Sequence, residues 1–148
     1  MQTGVRIEFA RILGAYRELA GQVDEVIVEG AGGFLVPLND RQDTAELARE
    51  LNLPVIMVVG MRLGCLNHAL LTAEAIAARG LTLAGWVANV LDAQMPALQD
   101  NTAALQERMA APMLGIVPRM EVPDARIAAS HVELGLLGKW AGENRRER

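Results

Sequence analysis

The chain has 148 residues, enough for one domain around one core, with 14 basic against 18 acidic residues and a formal net charge of −4. Hydrophobic residues make up 51% and aromatics only 3%, so the core is aliphatic and suits helices laid on a parallel sheet. No basic patch is dense enough for nucleic acid: Arg145, Arg146 and Arg148 share a charged tail, 143–148, with Glu143 and Glu147.

Along the chain, the first thirteen residues lack a basic start followed by an unbroken apolar run, so no signal peptide is expected and the chain reads as cytoplasmic. Phe9, Ile12, Leu13, Tyr16, Leu19 and Ala20 then fall on one face of a helix. A first strand is predicted over Glu25–Val28, running into Glu29-Gly30-Ala31-Gly32-Gly33. Asp43 caps a helix through Leu51, with Glu46 three residues on completing a box-like start. The second strand is predicted over Pro54–Val59; the apolar run that holds it, Leu53–Gly60, is far too short to span a bilayer and contains a proline. A helix over Asn67–Arg79 ends at Gly80 in the usual C-terminal glycine position. Strands at Leu83–Val90 and Met113–Val117 alternate with helices at Pro96–Met109 and Ala125–Leu137.

The four strands are near-continuous apolar runs, as strands covered on both faces should be. Their alternation with helices predicts an α/β fold, a parallel sheet built from right-handed crossovers, as one domain over residues 1–142. The opening is unusual, because a doubly wound nucleotide domain begins with a strand and its phosphate loop, and this chain begins with a helix. Nowhere does it contain G-x-x-x-x-G-K-[ST].

Glu29 ends a buried strand at the carboxyl edge of the sheet, where α/β folds bind ligands. A carboxylate there suits Mg²⁺, and the glycines behind it let backbone N–H groups approach an anion. The same residues also describe a plain strand-to-loop turn with Glu29 solvated. The stretch Gly60-Met-Arg-Leu-Gly64-Cys65-Leu66-Asn67-His68 leads from a strand into a helix whose free N–H groups form an anion site. Cys65 and His68 make only half of a metal site, with one remote His131, and no His-x-Glu partner supports Cys65 as a nucleophile. A small buried thiol is the better reading, and a single cysteine excludes an internal disulfide and fits a reducing compartment. Asn89, at the end of its strand, can pair a donor and an acceptor with a nucleobase edge, although asparagine also commonly ends strands. Four strand ends thus converge on one crevice.

At these residues the sequence resembles dethiobiotin synthetase, over about Ile7 to Leu137. The likeness rests on Val28-Glu-Gly-Ala-Gly-Gly33, Leu53-Pro-Val-Ile, Val59-Gly60 and Leu63-Gly-Cys-Leu-Asn-His-Ala69. It continues through Leu71-Thr-Ala, Gly80-Leu-Thr-Leu-Ala-Gly-Trp-Val-Ala-Asn89, Leu114-Gly115 and Pro118. The resemblance implies a P-loop NTPase-like fold and the conversion of 7,8-diaminononanoate, CO₂ and Mg-ATP to dethiobiotin, ADP and phosphate. It implies that Glu29 ligates Mg²⁺, that Glu29, Gly30, Ala31 and Gly32 contact ATP, and that Asn89 reads adenine. Pro118, Arg119 and Met120 correspond to the segment bordering the base. Gly64, Cys65, Leu66 and Asn67 resemble the place where the substrate carboxylate is held, reached across a homodimer.

Two positions depart from the pattern: Val90 follows Asn89 where the family usually has Asp, and a ribose-contacting Glu would fall around Asp124. The family's P-loop, catalytic lysine and a further Mg²⁺-binding Asp would all lie upstream of Met1, so no catalytic residue is assigned. The chain is therefore expected to be an N-terminally truncated enzyme, inactive alone, with strand edges and apolar faces left open. A cobyrinate-type amide ligase fits the 63–69 and 85–89 segments poorly. A non-catalytic remnant, or half of a split enzyme acting as a dimerisation module, is the rival from another class.

Overall fold

The computed structural model describes residues 6–141, grouped in two units that divide between Leu53 and Pro54. The charged tail at 143–148 lies outside the described residues.

In the first unit, the periodic apolar face does form a helix, α1 (Phe9–Ala20), with Phe9 buried. The second helix, α2 (Thr44–Leu51), starts where Asp43 was expected to cap it. The Asp43 carboxylate accepts from the Glu46 N–H at 2.8 Å, and the Glu46 carboxylate accepts from the Asp43 N–H at 2.8 Å. Two of the orphan donors at the helix start are thereby satisfied reciprocally. Asn52 closes α2 in the left-handed region, φ 51°, its N–H donating to the Ala48 carbonyl at 3.0 Å. Removing the cap by Asp43→Ala is expected to cost about 1 kcal/mol, read as a lower midpoint in thermal unfolding.

The loop ahead of α2 is knitted to its first turn. The Thr44 hydroxyl donates to the Phe34 carbonyl at 2.5 Å and accepts from the Val36 N–H at 2.9 Å. The Asn39 side chain accepts from Arg41 and Gln42 N–H groups and donates to the Ile7 carbonyl at 3.0 Å. The strand expected over Glu25–Val28 is absent: residues 25–30 are irregular. A strand needs a neighbour for its N–H and C=O groups, and among the described residues the sheet has three strands, none of them from this segment. Val26, Val28 and Glu29 instead line an apolar groove of about 470 Å³ with Ile12, Tyr16 and Leu19 of α1.

In the second unit, β1 (Val55–Met61), β2 (Leu83–Val90) and β3 (Met113–Val117) form a parallel sheet in that order. Two of the three strands match the predicted bounds, and β1 runs two residues further than expected. The crossovers carry α3 (Cys65–Ala78) and α4 (Leu98–Arg108), as parallel pairing requires. α3 begins two residues earlier than predicted and ends as predicted: Gly80, at φ +72°, donates to the Ala77 carbonyl, and Leu81 N–H reaches back to Ile76. This is the Schellman arrangement, which favours glycine at that position. Met57, Val59, Met61, Cys65, Ala69, Trp86, Ala88, Leu105 and Met109 make the core. It is aliphatic and sulfur-rich around one indole.

Burial along β2 is nearly continuous, as expected of a central strand. β1 departs from that expectation. Met57, Val59 and Met61 are buried, while Ile56 and Val58 are 45% and 64% exposed. β1 is an edge strand whose inner face meets α3, and its alternation is that of a strand covered on one side.

The last predicted helix, Ala125–Leu137, is broken in two. α5 spans only Ala125–Ser130, and a 3-10 helix covers Leu134–Ala141. Between them, Val132 bridges to Gly115 and the Glu133 N–H donates to the Leu114 carbonyl at 2.8 Å. The β2–β3 register shifts at this point, with Trp86 opposite Met113 and Val87 opposite Gly115. Leu114 is the extra residue, and its carbonyl captures the segment that a continuous helix would have carried past β3. Among the described residues, no helix is long and apolar enough to cross a membrane.

Candidate functional site

Parallel strands bring their carboxyl ends to one edge, and three segments leave β1, β2 and β3 there. After β1, the turn Arg62–Gly64 enters α3. Gly64 is the N-cap residue, at φ +88°, and supplies no side-chain cap. The Cys65 N–H donates to the Arg62 carbonyl at 3.0 Å, and His68 N–H to the Gly64 carbonyl at 3.1 Å. Of the first-turn donors, Leu66 and Asn67 N–H are thus left without a backbone partner among the described residues. Of the four residues expected to hold an anion, Cys65 alone has its N–H committed to a backbone carbonyl; the Gly64 N–H, like those of Leu66 and Asn67, has no such partner among the described residues. Cys65 is buried, with its side chain in the core, as a structural thiol should be. Among the described residues, no three His, Cys, Asp or Glu side chains gather into a metal cluster.

Asn89 lies in the middle strand, in register with Gly60 of β1 and Val117 of β3. It is half-buried, and its amide has no hydrogen-bond partner among the described residues. A half-buried amide without a protein partner is free to pair with a ligand edge. Val90, which follows Asn89, is only 7% exposed. It is a core residue, so Asn89 is the last polar side chain of β2.

The loop after Val90 is tightly held. Asp92 accepts from the Gln94 N–H at 2.9 Å through its carboxylate and from the Met95 N–H at 3.2 Å through its carbonyl. The Leu91 side chain lies over Gly60, where a Cβ would meet its terminal methyl at 2.7 Å. From the β3 side, Arg119 Nη1 donates to the Leu91 carbonyl at 2.7 Å. Sequence reasoning placed Arg119 at the base but did not see this contact, since no short-range signal links residues 28 positions apart. Pro118 and Met120 flank it, both half-buried.

Asp124, the position expected to stand for a ribose-contacting Glu, has a local role. Its carboxylate caps α5, accepting from the N–H groups of Arg126 at 2.8 Å and Ile127 at 3.0 Å.

Glu29 belongs to the first unit. It is exposed, at the end of the irregular stretch, and is followed by Gly32 and Gly33 with φ of +88° and +123°. Those dihedrals favour glycine and turn the chain sharply behind the carboxylate. A single exposed carboxylate fits a Mg²⁺ that takes its remaining ligands from water and phosphate, and does not build an all-protein cage.

The chain is similar to several curated proteins named ATP-dependent dethiobiotin synthetase BioD. That of Janthinobacterium sp. (strain Marseille) is 58% identical over 137 residues, 93% of this chain and 58% of that protein. That of Ralstonia nicotianae is 58% identical over 136 residues, 92% of this chain and 59% of that protein. That of Aromatoleum aromaticum is 62% identical over 130 residues, 87% of this chain and 58% of that protein. The chain therefore spans less than two thirds of the length of these relatives. A family model described as AAA domain matches residues 1–125. With most of its length so matched, and with a parallel sheet flanked by helices to go with it, the chain belongs to the AAA domain family.

Proposed function

We propose that this chain carries the base-reading and substrate-carboxylate parts of an ATP-dependent dethiobiotin synthetase, a ligase of biotin biosynthesis. The substrates in this reading are 7,8-diaminononanoate, CO₂ and Mg-ATP. The observation that carries it is the common carboxyl edge of three parallel strands, where Asn89, Pro118–Met120 and the start of α3 all lie. Relatives 58% and 62% identical and named for the activity support it.

In this reading the Asn89 amide pairs with the adenine edge, giving a donor and an acceptor together. The Leu66 and Asn67 N–H groups, at the positive end of α3, hold the substrate carboxylate without needing a cation beside it. Glu29 holds Mg²⁺ through water or directly, and Gly30, Ala31 and Gly32 let the backbone come close to phosphate oxygens. When bound, Mg²⁺ would offset charge on the phosphoryl group being transferred. A cytoplasmic homodimer completes the reading, with the carboxylate end of the site reached from the neighbouring subunit.

Calorimetric titration of the purified chain with Mg-ATP tests this. Asn89→Ala is expected to weaken binding about tenfold, the loss of a ligand hydrogen bond pair in a partly desolvated site. Equal affinities for the two proteins would remove adenine from Asn89 and overturn the assignment.

A further inference from the structure

Asn89 stands at the end of an edge that must be held still to read a base, and what holds it is unusual in one respect. The residue two positions on, Leu91, is fixed from both neighbouring strands. Its side chain rests on Gly60 of β1, the position in register with Asn89. Its carbonyl accepts from Arg119, which follows β3 by two residues. The guanidinium contact is short, 2.7 Å, and charge-assisted, so it is stronger than an ordinary backbone bond. Arg119 also reaches across 28 residues of sequence, from one strand-end loop to the next. It is otherwise an exposed side chain with no carboxylate partner among the described residues, an arrangement that stabilises little unless the loop it grips matters.

We infer that Arg119 is a positioning residue: it straps the Leu91–Met95 loop to the end of β3 and so sets the pose in which Asn89 meets a nucleobase, rather than touching the nucleotide itself. The base contact rests on the proposed function; the strap does not. A phosphate-binding arginine would leave its fork free for anionic oxygens, whereas here one Nη is already committed to a carbonyl. Gly60 leaves room for this packing, since a Cβ there would meet the Leu91 terminal methyl at 2.7 Å and make that side chain shift.

The test uses the whole chain in three forms: wild type, Arg119→Met and Arg119→Lys. Met keeps the aliphatic stem and loses every donor, while Lys restores one. In the ligand-free proteins, amide hydrogen exchange at Gln94 and Met95 is expected to quicken about tenfold in Arg119→Met, as loss of one charge-assisted bond predicts. Exchange in β1 should stay as it was, and Arg119→Lys should recover part of the protection. Titrated with ATP, ADP and AMP, Arg119→Met should lose affinity for all three by the same factor, because the disturbed end of the site is the base end. Unchanged exchange at Gln94 and Met95 would overturn the strap. A loss that grows from AMP to ATP would overturn it too, since Arg119 would then be a direct phosphate partner. If the wild type bound none of the three nucleotides, the functional reading would fall, and the exchange comparison would still decide the strap.

Discussion

Trp86→Ala is expected to destabilise the second unit by about 3–5 kcal/mol, the range for emptying a large aromatic site in a core. Trp86 is fully buried, heads the largest enclosed side chains, and sits in register between Met57 and Met113 in the middle of the core cluster. Few of its neighbours can collapse into the space, because the backbone of β2 is held on both sides by ladders. Against a typical domain stability of about 5–15 kcal/mol, that loss removes most of the margin. Trp86→Phe should behave very differently. The indole Nε1 is buried with no hydrogen-bond partner among the described residues, and leaving such a donor dry costs about 1–3 kcal/mol. Phenylalanine gives up part of the ring volume but removes that penalty, so the two effects oppose each other and the net change should stay within about 1 kcal/mol. Urea unfolding followed by far-ultraviolet circular dichroism distinguishes the cases. Should Trp86→Phe fall as far as Trp86→Ala, the indole N–H must be bonded in solution.

Much of the fold was legible because its signals are local. The Asp43–Glu46 box and the Gly80 terminus are set by a few adjacent residues, and each appears where the sequence puts it. β2 and β3 could be read to the residue because short apolar runs bounded by turn residues admit few alternatives in an alternating α/β chain. Non-local facts were not legible. Val26–Val28 has the composition of a strand, yet strand formation depends on a neighbour that composition cannot supply. Ala125–Leu137 has helical spacing throughout, but the Leu114 carbonyl, far away in sequence, takes the Glu133 N–H and ends the helix early. Ile56 and Val58 read as buried by hydropathy alone, and only the strand order reveals β1 as an edge.

The candidate site divides along the same line. Asn89 and Gly64 were visible as strand-end and helix-start residues, positions that follow from the pattern. The bonding of Cys65 N–H to Arg62, the capping duty of Asp124 and the reach of Arg119 to Leu91 are matters of geometry. Each changes what its residue can do. Asp124 spends its carboxylate on a helix start, Cys65 contributes no free donor, and Arg119 has a partner that sequence does not disclose.

Gly115→Ala should be the most damaging small substitution in the second unit. A Cβ at this position would overlap the His131 carbonyl oxygen and crowd the Val132 Cα. The obstacle is main chain, so no rotamer change can relieve it. Relief requires the 131–133 segment to move off β3, which breaks the Gly115–Val132 bridge and the Glu133-to-Leu114 hydrogen bond together. The 3-10 helix that follows packs on β2 and β3, and it would lose its seat as well. Adding one methyl group is therefore expected to cost about 3 kcal/mol, the upper end of ordinary overpacking. The damage should also be directional. Limited proteolysis should open the chain between Ser130 and Leu137 before it reaches α3 or β1, because the substitution frees one end of the unit before it unfolds the rest. A Gly115→Ala protein that melted with the wild type and resisted cleavage there would mean that the chain after α5 does not lie against β3 in solution. In that event the early end of the last helix would need another cause.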